Sequence, residues 1–177
     1  MRNPRTLGPA FDLARSALEN LLRFDFPYFY REYEEEAQRR NQVQTKAVGA
    51  LATALLPDNP SAWLKDRATK DDNWAVRQAA VQELARGWKD DKDTLTILKD
   101  RAVNDATPEA EWESWRSGVR DVALQAIARG WPDDPETLAL LRKREKNDPT
   151  PWLREKAKQM ADKLEARGMT PPPGVKP

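Results

Sequence analysis

An aspartate followed by an arginine recurs along this chain. Asp71 or Asp72 precedes Arg77, Asp105 precedes Arg120, and Asp148 precedes Arg154. An Asp–Arg pair could act as an active-site clamp, since guanidinium and carboxylate form strong charge-assisted hydrogen bonds. Recurrence in every unit argues for a scaffold role instead: the Asp caps a helix N-terminus or pairs with the Arg. Other chemistry is narrowly bounded. The 177 residues include no histidine and no cysteine. That excludes disulfides, Cys/His metal sites, thiol nucleophiles, haem ligation, a Ser-His-Asp triad and imidazole acid–base catalysis. No Gly-x-x-x-x-Gly-Lys-Ser/Thr loop is present, so no phosphate cradle of that type exists. Catalytic residues, metal and cofactor are all expected to be absent.

The elements that carry these pairs are repeats. Residues 80–88 read AVQELARGW and residues 123–131 read ALQAIARGW, 43 positions later. KDDKDTLTILKDRA follows the first from Lys89, and PDDPETLALLRKRE follows the second from Pro132. WLKDRA at Trp63 resembles ILKDRA at Ile97. Each unit reads as a short first helix, an Asp-containing loop, and a second helix. The second helix begins near Val76-Arg77, Val119-Arg120 or Leu153-Arg154 and ends in Arg-Gly at Gly87, Gly130 and Gly168. Gly87 and Gly130 are expected to take the left-handed position after a helix, with Trp88 and Trp131 packing back on the last turn. Pro132 and Pro135 suit the start of the next helix. Residues 76, 80, 81, 84, 85 and 88 make a wide apolar stripe. A weaker earlier copy of the second helix runs from Val43 to Leu55, 33 residues before Val76.

This unit resembles HEAT repeats: two helices, an Asp then a Val-Arg step, and an alanine-rich second helix. The segments DRATKDDNWAVRQAAVQELARGWKDD and VRDVALQAIARGWPDDPETL are similar to bacterial HEAT arrays, found standalone or C-terminal to NACHT-type signalling NTPases. The resemblance covers about Val43 to Gly168. It implies an all-α, right-handed α-solenoid of stacked antiparallel helix pairs, about four units. It also implies binding of proteins, or sometimes nucleic acid. HEAT-fold hydroxylases need His-Glu pairs, which this chain lacks.

Three regions follow: an N-terminal helical cap at 1–41, the repeat array at 42–168, and a disordered Pro-rich tail at 169–177. Residues 10–24 place Phe11, Leu13, Ala14, Ala17, Leu18, Leu21 and Leu22 at helical spacing. Pro27 opens another helix, which either continues into residues 48–55 or breaks near Asn41. Aromatics between Phe24 and Tyr33 would cover the exposed end of the array. The start does not read as a signal peptide. The longest uncharged run, Ala47 to Pro57, is about half the length of a membrane span. No membrane association and a cytoplasmic location are expected.

Two surfaces could bind a partner. On the second helices one i, i+4, i+8 stripe avoids the apolar residues. It reads Thr45, Gly49, Thr53; Gln78, Gln82, Arg86; Asp121, Gln125, Arg129; and Glu155, Gln159, Lys163. In a HEAT array these rows lie side by side on the concave face, giving a polar groove with a Gln row and a basic edge. The second surface is an insertion. Leu98 to Val119 is longer than the equivalent stretches, and the extra residues include Trp112, Trp115 and Arg116. Exposed Trp with Arg is the composition of interface hot spots; alternatively Thr107 caps and Pro108 starts a longer second helix. Residues 142–167 hold nine Lys or Arg against five Asp or Glu, read as a solvated helix face.

The expected function is a non-enzymatic protein-binding scaffold or sensor module. Its partner is another protein, with nucleic acid less favoured because the net charge is only +1. A monomer is expected rather than an obligate oligomer. Two alternatives stand beside it. One is a HEAT-like DNA-binding enzyme of the alkylpurine glycosylase type, which would need a continuous positive concave face with a Trp beside an Asp. The other is a HEAT-like bilin lyase or chaperone subunit, for which no residue stands out.

Overall fold

The structure is a computed structural model that describes residues 16, 17, 19, 20, 34–52, 59–106 and 118–169. Among these residues the regular structure is entirely helical. The helices are α1 (Glu34–Ala50), α2 (Pro60–Lys70), α3 (Trp74–Gly87), α4 (Thr94–Asn104), α5 (Val119–Gly130), α6 (Pro135–Asn147) and α7 (Pro151–Met169). The chain divides into two compact units, Met1–Leu84 and Ala85–Pro177, with α3 running through the boundary. Within the second unit α4 packs on α5 and α6 on α7, while α5 also touches α6 and α7. These are stacked helix pairs, the all-α HEAT-like architecture that the repeats predict.

Local chemistry explains the helix starts. Pro60 and Pro135 supply a preset φ in the first turns of α2 and α6, where no N–H partner is required. The Asn59 and Asp134 side chains accept from the Ala62 and Glu136 N–H groups, both at 3.0 Å. Each first helix ends on the recurring aspartate. The Asp71, Asp105 and Asp148 N–H groups donate to the Arg67, Arg101 and Arg144 carbonyls, and each Asp is extended at ψ of 125–135°.

The second helices carry the core. Val76, Ala80 and Leu84 of α3 are fully buried, as are Val119, Ala123 and Ile127 of α5 and Leu153, Ala157 and Ala161 of α7. One position differs between units. Val81 and Leu124 are fully buried, whereas the equivalent residue of α7 is Lys158, which is exposed.

The structure corrects several expectations. Gly87 and Gly130 are the last helical residues, neither lies in the left-handed region, and a Cβ on either would meet nothing within 4 Å. Trp131 is the C-cap instead, with its N–H donating to the Ile127 carbonyl at 2.8 Å. Trp88 and Trp131 are half-buried. α1 runs through Asn41 without a break. The early repeat copy keeps Ala47, Val48, Leu51 and Ala52 buried, but Val43 is 46% exposed. Gln44 stands where Arg77 stands, so this copy has no corner arginine. Ala17 is helical but exposed rather than core-facing. The aromatic cluster, the rest of the N-terminal helix, residues 170–177 and the insertion lie outside the described residues.

Because neither glycine is required by backbone or space, Gly87→Ala and Gly130→Ala should each stabilise the fold. About 0.5–1 kcal/mol is expected from reduced unfolded-state entropy and better helix propensity. Urea denaturation checks this, and a loss of stability in either variant would restore the left-handed assignment.

Candidate functional site

The recurring aspartate is built into a corner, and Asp148 shows it most fully. Its side chain is completely buried. One oxygen, Oδ1, accepts from the Thr150 N–H at 3.0 Å, which starts α7. The other, Oδ2, lies 3.5 Å from Arg120 Nε and 3.6 Å from Arg144 Nη1. Those are ion-pair distances rather than hydrogen bonds. The Asp148 carbonyl accepts from Arg154 Nη1 at 2.7 Å. The same pattern occurs at Asp71, whose Oδ1 takes the Asn73 N–H at 3.0 Å, whose Oδ2 takes Arg67 at 3.0 Å, and whose carbonyl takes Arg77 at 2.8 Å. At Asp105 the carbonyl accepts from Arg120 at 3.0 Å, and the carboxylate lies 3.6 Å from Arg101.

The predicted Asp–Arg pairing is therefore real but differently wired. The downstream arginine binds the aspartate's backbone carbonyl, and the carboxylate pairs with an arginine four residues upstream. Arg67, Arg101 and Arg144 were missed as partners, although their constant four-residue spacing to the Asp was the available signal. Arg120 joins two consecutive corners: Asp105 on its own repeat, and Asp148 and Thr150 on the next, with Nη2 to Thr150 Oγ1 at 3.0 Å. These charges serve the scaffold.

The predicted groove residues fall into two groups. Gln82, Arg86, Arg129, Gln159 and Lys163 are exposed, and Gln78 and Gln125 are half-buried. On α5, Arg129 Nη2 donates to Gln125 Oε1 at 3.3 Å; on α7, Gln159 Nε2 donates to Glu155 Oε1 at 3.3 Å. Asp121 departs from the prediction. It is fully buried, and Lys156 Nζ donates to its Oδ2 at 2.8 Å. It is a bridge between α5 and α7 rather than part of an open row. Lys156 also lies 4.9 Å from the centroid of the half-buried Trp152 ring. Lys156 and Trp152 were missed because a lone Lys reads as a solvated charge. Repeat alignment held the clue: Lys156 occupies the position of the buried Ala79 and Val122. Trp112, Trp115 and Arg116 lie outside the described residues.

Other cations fasten neighbouring elements. Lys99 on α4 reaches Asp134 at 2.9 Å and Glu136 at 2.8 Å, joining consecutive repeats. Its hydrogen bond is the largest cause holding the Asp134 carboxyl below its usual 3.8. A depressed folded value means stability that is present above that range and lost as pH falls through it. Arg142 gathers Glu145, Asp162 and Glu165 at 2.8, 2.7 and 2.6 Å. Lys89 lies 5.7 Å from the Trp131 ring centroid.

Among the described residues no cluster of His, Cys, Asp and Glu could hold a metal ion, and no helix is long and apolar enough to cross a membrane. Helix pairs with a recurring ionic corner and polar outer rows define a helical-repeat array. A family model described as HEAT repeats matches residues 61–161. The chain belongs to the HEAT-repeat family. No curated protein and no solved structure matches it.

Two stability measurements check the assignment of these charges. Asp148→Asn, which strands two guanidiniums, should cost about 3 kcal/mol or more. Lys70→Ala, in an exposed pair with Asp66, should cost about 0.5 kcal/mol or less. For the α5–α7 bridge, Lys156→Ala should destabilise more than Asp121→Ala/Lys156→Ala, since only the single variant leaves a buried carboxylate alone. A coupling of about 1–3 kcal/mol is expected in the double-mutant cycle. Additive effects would mean that the bridge contributes nothing.

Proposed function

We propose that this protein is a non-enzymatic scaffold or sensor module that binds another protein through the polar faces of its second helices. The observation that carries this reading is a division of labour between repeat positions. The corner residues Asp71, Asp105 and Asp148, with their arginines, are identical in type and committed to internal bonds. The positions of Gln82/Gln125/Gln159 and Arg86/Arg129/Lys163 are exposed or half-exposed and polar. A polar surface over a scaffold whose charges are paired internally is available for recognition. HEAT membership supports the same reading, because stacked repeats present extended surfaces suited to macromolecules.

The outer rows are mixed in sign. Glu155 lies in the same row as Lys163, and Asp121 is neutralised by Lys156. That weighs against a DNA-binding glycosylase, which needs an uninterrupted positive face. The module acts in the cytoplasm as a monomer, alone or as the sensor arm of a NACHT-type signalling NTPase.

Quantitative affinity capture from the source organism tests the proposal. Proteins retained by the wild type should be lost from Gln125→Ala/Gln159→Ala, with the melting temperature unchanged. Loss from Trp112→Ala/Trp115→Ala alone would move the binding surface to the insertion. Retention of every partner by both variants would overturn the reading.

A further inference from the structure

Charge on the last helix pair is sorted by edge. The acidic side chains Glu145, Asp162 and Glu165 are all drawn to Arg142, on the side of α7 that packs against α6. That draws Asp162 and Glu165 away from the edge toward α5. There, Lys156 neutralises the buried Asp121, and one exposed acid remains, Glu155, whose Oε1 accepts from Gln159. Lys163 and Arg167 lie one turn apart on this edge, are exposed, and pair with no carboxylate among the described residues. Arg129, the α5 equivalent of Lys163, is exposed and, among the described residues, donates only to the neutral Gln125 amide. The contact between α5 and α7 and the Lys156–Asp121 bridge bring the two rows side by side.

We infer that the α5–α7 face binds an extended acidic segment of a partner protein. This rests on the protein-binding reading above and names the chemistry of the partner. The geometry fits such a chain. Packed helices lie roughly 8–10 Å apart, and an extended peptide advances about 3.3 Å per residue. Acidic side chains about three residues apart would reach Arg129 and Lys163 in turn, and Arg167 would receive a further acid. The Gln125 and Gln159 amides can donate and accept at once, as one peptide group requires. A polynucleotide is the weaker match. Its affinity depends on neutralising many phosphates, and a chain of net charge +1 offers little long-range attraction.

Fluorescence anisotropy at low ionic strength tests this with three labelled probes: the peptide (Asp-Gly-Ser)4, its Asn counterpart and a twelve-residue oligothymidylate. The Asp peptide should bind and the Asn peptide should not. Arg129→Glu/Lys163→Glu should weaken binding by about tenfold or more. Lys143→Glu/Lys146→Glu, the same charge change on exposed residues of α6, should alter it by less than about twofold. Lys163→Gln, a milder change, should cost about threefold and guards against misfolding of the double variant. Equal binding of the Asp and Asn peptides, equal loss in the two charge-reversed variants, or binding of the oligonucleotide alone would overturn the inference. If captured partners depend on Gln125 and Gln159 while the Asp peptide fails to bind, only the acidic chemistry falls and protein binding stands.

Discussion

The structure depends on one constraint, which is that each helix pair must turn at the edge of the core, where the turn's aspartate is buried or half-buried. Backbone groups freed by the turn on its core side have to find partners within the protein. The aspartate corner does this with one residue. The carboxylate of Asp148 takes the first N–H beyond the turn, its carbonyl takes Arg154, and its remaining charge faces Arg144 and Arg120. A buried carboxylate is tolerated only when paired and hydrogen-bonded. Here the pairing also fastens one repeat to the next through Arg120. Scaffold and stacking are held by the same few atoms, which explains why the residue types recur so strictly.

Much of this was legible from sequence, and the reasons differ by residue. The repeats were plain because burial on both sides demands small and apolar residues at fixed positions, as at Ala80/Ala123/Ala157. The Asp–Arg recurrence was legible as structural, but its wiring was not. Spacing shows that Asp148 and Arg154 are near; it does not show that the arginine prefers the carbonyl. The glycine assignment was overturned because an Arg-Gly ending is compatible with two terminations. The chain uses Trp131 as the cap and leaves Gly130 helical. Asp121 was misplaced because it shares a row with Gln78 and Glu155, and only the neighbouring Lys156 makes its burial tolerable.

The candidate face owes its character to an asymmetry that composition hides. Nine cations and five anions between Arg142 and Arg167 look like a well-mixed surface. The structure separates them. One arginine of α6 collects three carboxylates on one side of α7, while Lys163 and Arg167 on the other side are exposed. A near-neutral module can thereby carry a locally positive face without the non-specific attraction of a basic protein. The Gln rows add hydrogen-bonding capacity that does not depend on charge.

Lys158 has a consequence for how such an array can lengthen. Helical-repeat proteins grow by copying a module, and a copy succeeds only where both of its seams are apolar. Val81 and Leu124 are apolar and buried at this position, and Lys158 is charged and exposed. A helix pair stacked on the Lys158 face of α7 would have to bury an ammonium group, a cost that an apolar residue at that position does not carry.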